Sequence, residues 1–371
     1  MFIDVSMKVC EMNFIKFFGK KLWALTNKLL VVLVRHKPNK VNSKIKVYYG
    51  GAFKGDLGGP LVKIKRLSKN YPEHRYNFNL LYCLSNFPYL SSRSLKIIKR
   101  KNIPIILNQN GVYFSGWHGN RWESKNKKLI PAYHLSDYIF WQSEFCKESA
   151  DKFLGKSNTP GEVLFNAVDI TKFKPVEKEN KEFTFLTTGV FTDSMLYRLL
   201  ATVESFDLFQ KKQKETRLTI AGFISKKSKL QINNLIESKN LQHKVTIIGS
   251  YAQDLAPEIY TSADAYIMLK YMDASPNVVI EAMACGLPVI YSATGGVPEL
   301  VGQNCGVGLF LKQNWESKPH APEPNSVSDA LSYVLENQKE LSLNARRRAE
   351  QKFDLQKWLI RHEEVFNKYV N

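Results

Sequence analysis

Short apolar runs recur along this chain with helical patterns between them, and they fall into two separate series. The first series comprises "KIKVYYGG", with a strand over Ile45–Tyr49, then "YNFNLLYC" (76–83), "IPIIL" (103–107), "YIFWQS" (138–143) and "EVLF" (162–165). The second comprises "FTFLTTG" (183–189), "RLTIAG" (217–222), "KVTIIG" (244–249), "AYIML" (265–269) and "LPVIY" (287–291). Strands that alternate with helices pair in parallel, because each crossover helix returns the chain to the same end of the sheet. The two series are joined by the charged, Pro-containing stretch "DITKFKPVEKENKE" (169–182), so the pattern predicts an α/β protein of two Rossmann-like domains. Ligands of such sheets sit beyond the carboxyl ends of the strands, which makes the cleft between the domains the expected site. The predicted boundaries are a basic leader over 1–44, a first domain over 45–175, a second over 176–352, and a terminal helix over 353–371 packing across the junction. A chain of 371 residues suits that count, being too long for one ordinary core.

Charge narrows the partners. Lys and Arg number 53 against 34 Asp and Glu, a formal +19, which implies an anionic partner. Nucleic acid, an acidic membrane surface and a phosphate-rich substrate all qualify. The basic residues form no nucleic-acid recognition module, so no nucleic-acid partner is expected. Cys10, Cys83, Cys146, Cys285 and Cys305 are scattered and never paired as C-x-x-C, against a zinc site or disulfide framework and for a reducing compartment. In "FIKFFGKKLWALTNKLLVVLVRHK" (14–37) the longest apolar run is Leu29–Val34. That is far short of the ~20 residues that cross a bilayer. Its mixture of Lys with Phe, Leu and Trp suits a basic amphipathic helix in the headgroup layer, or else a leader packed on the first domain. The expected location is cytoplasmic, peripheral at an anionic membrane.

The stretch "YMDASPNVVIEAMACGLPVI" (271–290) holds Asp273 and Glu281 eight positions apart. Pro276 suits a first helical turn, and the run Val278–Cys285 continues as helix until Gly286 and Pro288 stop it. A helix start presents unpaired N–H groups and partial positive charge to a phosphate. Glu281, within the first turn or so, is placed for a ligand hydroxyl near that phosphate, and Asp273 for a hydroxyl at the ligand's other end. Charged carboxylates accept such bonds strongly. A phosphate bearing polyols on both sides, as in a nucleotide sugar, fits this clamp. The plainer alternative is a solvated pair in which Asp273 merely stabilises the helix start.

This segment resembles the signature of the retaining glycosyltransferases of family 4, in which two acids with seven residues between them flank a Pro-Asn loop. Here it reads D-A-S-P-N-V-V-I-E-A-M-A-C-G-L-P-V-I, followed by "YSATGGVPELV". "LSDYIFWQSEFCKESADKFLG" with "VLFNAVDITKFKP" is similar to the family's last acceptor-domain strand, helix and linker. "RLTIAG" and "VTIIGSYAQDLAPEIYTSADAYIML" are similar to its donor-domain strands. The resemblance spans roughly residues 45–371 and implies the GT-B fold, two Rossmann-like domains facing across a cleft.

The resemblance also implies roles. Glu281 would hold the nucleotide's ribose, and Asp273 the transferred sugar. Backbone N–H groups around Ser275, Asn277 and Val278 would receive the diphosphate. Gly58 and Gly59 would form the glycine-rich loop that admits a donor phosphate, or else an ordinary turn. Two departures stand out. The family's Arg and Lys after the first donor-domain strand are missing: the slot near Val190 is apolar, and Arg198 and Lys270 are the substitute cations, or solvated surface charges. The family's acceptor-domain histidine aligns with Asn110, while His118 lies eight residues later, so both are candidates. The implied activity is metal-independent, retaining transfer from a nucleotide sugar to a glycan or lipid-linked acceptor, in polysaccharide or glycoconjugate assembly. No cofactor beyond the donor substrate is expected. A catalytically impaired relative serving as a partner subunit is the rival reading.

Overall fold

The structure, a computed structural model, describes residues 25–26, 31, 44–52, 59–86, 88–177, 182–213 and 215–371. Most of the amphipathic leader, and Gly58, lie outside the described residues. Among the described residues no helix is long and apolar enough to cross a membrane.

The first sheet is wholly parallel and takes its strands in chain order: β1 (Val47–Tyr48), β2 (Leu80–Leu84), β3 (Ile105–Gln109), β4 (Tyr138–Trp141) and β5 (Gly161–Val163). Strands such as "LLYCL" are buried along their whole length, as parallel strands covered on both faces must be. Helices α1 (Gly59–Asn70), α2 (Ser92–Arg100) and α3 (Glu144–Leu154) provide the cover. Ser91 and Ser143 cap α2 and α3 by accepting from the N–H groups of Ser94 and Cys146.

The second sheet contains β6 (Phe183–Phe191), β7 (Thr216–Ile224), β8 (Val245–Ile248), β9 (Ala265–Met268), β10 (Val289–Ser292) and β11 (Gly306–Leu309). Its spatial order is β8-β7-β6-β9-β10-β11, again all parallel. The chain therefore runs outward from β6, returns to β9 and runs outward the other way. This reversal opens a crevice between the carboxyl ends of β6 and β9. Its helices include α4 (Leu196–Gln210), α5 (Lys226–Ser238), α6 (Asn277–Ala284), α7 (Pro324–Glu336) and α8 (Gln338–Lys352). The short glycine-containing strand β11 carried no strand pattern of its own in the sequence.

The chain crosses between domains at two adjacent points. The N–H of Val168 donates to Phe353 O at 2.7 Å, and the N–H of Leu355 donates to Val168 O at 3.1 Å. After the second crossing α9 (Leu355–Val370) returns to the first domain, burying Trp358, Phe366 and Val370 among Tyr49, Tyr82 and Phe140. At the opposite edge the domains are pinned again. Trp315 packs on Phe114, Phe145 and Phe153 with ring centroids 5.0, 5.2 and 5.1 Å away, and the N–H of Gly116 donates to Trp315 O. Nearby, the Glu299 carboxylate of the second domain accepts from the N–H groups of Glu144 and Phe145 at 2.6 and 2.8 Å, capping α3 across the junction.

Candidate active site

The carboxyl ends of the two sheets face each other, and the loops they feed enclose a cleft of about 380 Å³. The first domain contributes Val62 of α1, Asn110 after β3, Gln142 after β4 and Asn166 after β5. The second contributes Thr188, Gly189 and Val190 from the end of β6, Arg198 from α4, Lys270 and Asp273 after β9, and the start of α6 from Ser275 to Glu281. Thus nine of the eleven sequence-selected residues, Asn110, Arg198, Lys270, Asp273, Ser275, Asn277, Val278 and Glu281 with Gly59 at the head of α1, belong to elements that bound this one crevice. His118 lies in an adjoining pocket, and Gly58 is outside the described residues.

The helix that carries the second acid begins one residue later than expected. Pro276 is extended (φ −75°, ψ 121°) and stands as the cap, and the helix proper starts at Asn277. Glu281 is consequently at the beginning of the second turn rather than in the first. Its carboxylate is buried and accepts from Tyr260 Oη at 3.2 Å and Gln253 Nε2 at 3.3 Å. Burial pushes this carboxyl above the ordinary range, opposed by the nearby Arg66 guanidinium and by those two donors. A buried acid held by two long hydrogen bonds retains lone pairs for a ligand hydroxyl.

Asp273 has different company. Its Oδ2 meets Lys270 Nζ at 2.6 Å, and its Oδ1 accepts from the N–H of Ser275 at 3.3 Å. Lys270 therefore does not stand free as a surface charge: it is tied to Asp273 and lies 5.3 Å from the Trp117 ring centroid. The loop between them is tightly wound. Met272 takes φ +49°, a left-handed conformation uncommon for a non-glycine residue. Gly295 and Gly296 support it from below. A Cβ on Gly295 would come 2.4 Å from Asp273 O, one on Gly296 would come 2.0 Å from Ala274 O, and the Gly296 N–H donates to Asp273 O at 2.8 Å. The "GG" of "YSATGGVPELV" thus shapes the acid loop, a purpose its sequence position did not disclose.

Arg198 is the main correction to the surface-charge alternative. It is only 4% exposed, and among the described residues it makes no ion pair. Its Nη2 contacts Met268 Sδ at 3.6 Å, its guanidinium lies 5.0 Å from the Phe191 ring centroid, and its Nε has no partner among the described residues. A helical turn beyond the apolar Val190 slot, the chain delivers a buried cation to the mouth of the β6–β9 crevice.

A second pocket of about 290 Å³ adjoins the first on the far side of Asp273. Asn110, Lys270 and Asp273 border both. Tyr113, Phe114, Trp117 and His118 give it an aromatic wall. His118 packs edge-on to Tyr113 with centroids 4.7 Å apart, and burial together with Lys125 pulls its imidazole down to about 4. The two candidates for the family's histidine position are thereby separated. Asn110 sits at the seam between the pockets, whereas His118 sits within the second and is neutral near neutral pH. Asn110 is held there by its own N–H donating to Ser85 Oγ at 3.0 Å, and by its Oδ1 accepting from the Gly111 N–H at 2.8 Å.

Sequence reasoning missed Gln142 and Asn166 altogether. No short motif marks a lone amide at a strand end; only the rule that ligands sit beyond those ends pointed there. Asn166 Nδ2 donates to Gln142 Oε1 at 2.9 Å and reaches Ser275 O at 3.2 Å, joining the first domain to the helix start of the second.

Residues 169–352, essentially the second domain, match the family model described as glycosyl transferases group 1. One relative is the gpi3 subunit of phosphatidylinositol N-acetylglucosaminyltransferase of Schizosaccharomyces pombe, 26% identical over 47% of this chain and 35% of its own length. Another is an uncharacterized glycosyltransferase of Methanocaldococcus jannaschii, 20% identical over 70% of this chain and 66% of that protein. The D-inositol 3-phosphate glycosyltransferase of Mycolicibacterium smegmatis is 25% identical over 38% of this chain and 34% of its own length. The chain thus spans between about a third and two thirds of these relatives. Among solved structures, Anabaena HepE in complex with UDP superposes with a TM-score of 0.67 at 13% identity, covering 87% of this chain and all of that one. Sucrose-phosphate synthase from Thermosynechococcus elongatus gives a TM-score of 0.63 at 17% identity over 83% of this chain and 76% of its own. These likenesses establish the GT-B fold.

Proposed function

We propose that this protein is a retaining, metal-independent glycosyltransferase that moves a sugar from a nucleotide-sugar donor to a glycan or lipid-linked acceptor. The observation that carries the reading is Arg198, a buried cation without an acidic partner among the described residues, placed in one crevice with the open helix start at Ser275–Val278 and the buried Glu281. Such a crevice suits a diphosphate whose negative charge grows as the bond to the sugar breaks. Glu281 is assigned to the ribose, Asp273 to the sugar hydroxyls, and the aromatic pocket to the acceptor.

The reaction breaks the bond from the anomeric carbon to the diphosphate oxygen and forms one from the same face to the acceptor oxygen. The acceptor's proton needs a destination. Asn110 cannot take it, and His118, pulled to about 4, is a weak base. The departing phosphate oxygen remains, and it lies beside the incoming hydroxyl in a same-face attack. Lys270 pairs with Asp273 and so orients its carboxylate next to the positive anomeric carbon. Closure of the domains excludes water, which favours transfer over hydrolysis. The formal +19 and the basic leader favour work at an anionic membrane, in surface-glycan or glycoconjugate assembly.

The rival reading, an impaired relative acting as a partner subunit, is favoured by one observation, the apolar Val190 at the edge of the phosphate crevice. Calorimetric and thermal-shift titration with UDP, GDP, ADP and their sugars, alongside Glu281→Ala, decides between the two. Selective binding of one nucleotide, lost in the variant, is expected. A folded protein that binds none of them makes the partner-subunit reading the better one.

A further inference from the structure

One layer behind the cleft, Lys63 of α1 is buried, and none of its hydrogen bonds among the described residues goes to an acid. Its Nζ donates to Asn108 Oδ1 at 2.5 Å. The same oxygen accepts from Gln142 Nε2 at 2.7 Å. Gln142 Oε1 accepts in turn from Asn166 Nδ2, which faces the Ser275 carbonyl and hydroxyl across the junction at 3.2 and 3.4 Å. An amine of the first domain is therefore connected through three buried amides to the loop that begins the phosphate-facing helix.

The arrangement is poor for stability taken alone. A buried cation loses hydration, and an unpaired one is commonly replaced by an apolar side chain with no loss of fold. Arg66, three residues along the same helix, adds a second cation beside it, and both border a small void with Asn166 and Asn277. Asn166 Oδ1 and Asn277 Oδ1 are buried there without a partner among the described residues. Lys63 is therefore a buried cation to which the described residues offer no acid as a hydrogen-bond partner.

We propose that Lys63 is a positioning residue for the donor diphosphate: through Asn108, Gln142 and Asn166 it fixes the Ser275 loop, and its charge strengthens phosphate binding from the first-domain side. The proposal rests on the nucleotide-sugar reading above.

It also makes binding pH-dependent in a defined direction. Burial brings the Lys63 amine down to about 7, with Arg66 contributing. The groups facing it stay fixed near neutral pH. Burial holds His362 of α9 at about 3 and Cys146 of α3 at about 12, and raises Tyr82 of β2 well above its usual value. Arg66 remains charged. Glu281 lies near Arg66, and its protonation weakens binding toward acid, the opposite slope. The diphosphate of a nucleotide sugar does not titrate in this range.

The test is calorimetry with the nucleotide sugar that the wild type selects, on the full chain, at pH steps between about 6.5 and 8.5. One-proton linkage predicts a wild-type affinity falling about tenfold across that window. Lys63→Met is expected to melt no lower than the wild type, to bind at least about tenfold more weakly at the acid end, and to lose the slope. Lys63→Arg, which keeps its charge, retains affinity without the slope. A Lys63→Met variant that binds like the wild type, or melts lower with affinity and slope intact, overturns the proposal. So does a flat wild-type profile, a readout that stands even where Lys63→Met fails to fold. A wild type that binds no nucleotide sugar overturns the donor reading and this inference together, whereas wild-type binding that Lys63→Met leaves unchanged overturns this inference alone.

Discussion

The two walls of the cleft are built in opposite ways. The second-domain wall is charged and nearly continuous in sequence, with Lys270, Asp273 and Glu281 on one loop and helix and only Arg198 from elsewhere. The first-domain wall is neutral at its surface and discontinuous, assembled from Asn110, Gln142 and Asn166 at the ends of three different strands, with Lys63 behind them. Charge near a phosphate must be placed by rigid elements, because Coulomb energy changes steeply with distance in a low-dielectric crevice. Amides that only shape and connect can be gathered from several elements, provided the sheet holds them in register.

The contrast is broken most sharply at Arg198. If the second wall carries the charge work, Arg198→Met lowers kcat about 10²- to 10³-fold with little change in KM, the effect of deleting one transition-state donor. Steady-state kinetics with the selected donor reads this directly. An equal loss in a variant of the first wall such as Asn166→Leu, at unchanged fold, would show instead that the walls share the work.

Next in size is the pin that holds the walls together. Trp315→Ala removes the ring between Phe114, Phe145 and Phe153 and is expected to weaken domain closure by about 2 kcal/mol, below the ~3–5 of a fully buried aromatic because Trp315 is half-buried. Hydrogen exchange at the Glu144 and Phe145 amides, which Glu299 accepts from, should accelerate accordingly.

Smaller still is the effect of neutralising Glu281. Its folded-state acidity is weakened by burial, so it contributes stability while protonated and loses that contribution as pH rises through its folded value. Glu281→Gln should therefore melt higher than the wild type at pH 7, by about 1 kcal/mol or roughly 3 °C, and the gain should fade toward pH 4. Thermal melts at the two pH values settle the sign. The smallest change is expected for Lys270→Ala. A partly exposed pair three residues apart contributes less than about 1 kcal/mol, so melting barely moves, while on the proposed assignment of Asp273 to the sugar the KM for the donor rises.

The same contrast explains what could be read in advance. The acid loop, the Pro-Asn helix start and the alternation of strands are local patterns, and each was legible within a window of some twenty residues. Arg198 was visible as a residue but not as buried, because its burial comes from Phe191 and Met268 on two neighbouring strands. Gly295 and Gly296 drew no structural reading from the sequence because the loop they support lies more than twenty positions earlier. Lys63 sits in a helix whose other lysines, Lys65 and Lys69, face outward, and nothing local distinguishes it from them. The expected start of the helix at Pro276 failed by one residue, since proline is equally at home as the extended residue before a helix.

The return of α9 to the first domain gives synthesis an unusual order. The first domain begins to emerge from the ribosome before the second, yet Trp358, Phe366 and Val370 complete its core only after residues 169–352 have been made. The second domain can close its own sheet while the first sheet still lacks the α9 side chains that pack on Tyr49, Tyr82 and Phe140. The part of the molecule that starts first is thus the part that finishes last, and its exposed apolar face makes the interval before α9 docks the moment of greatest need for a chaperone.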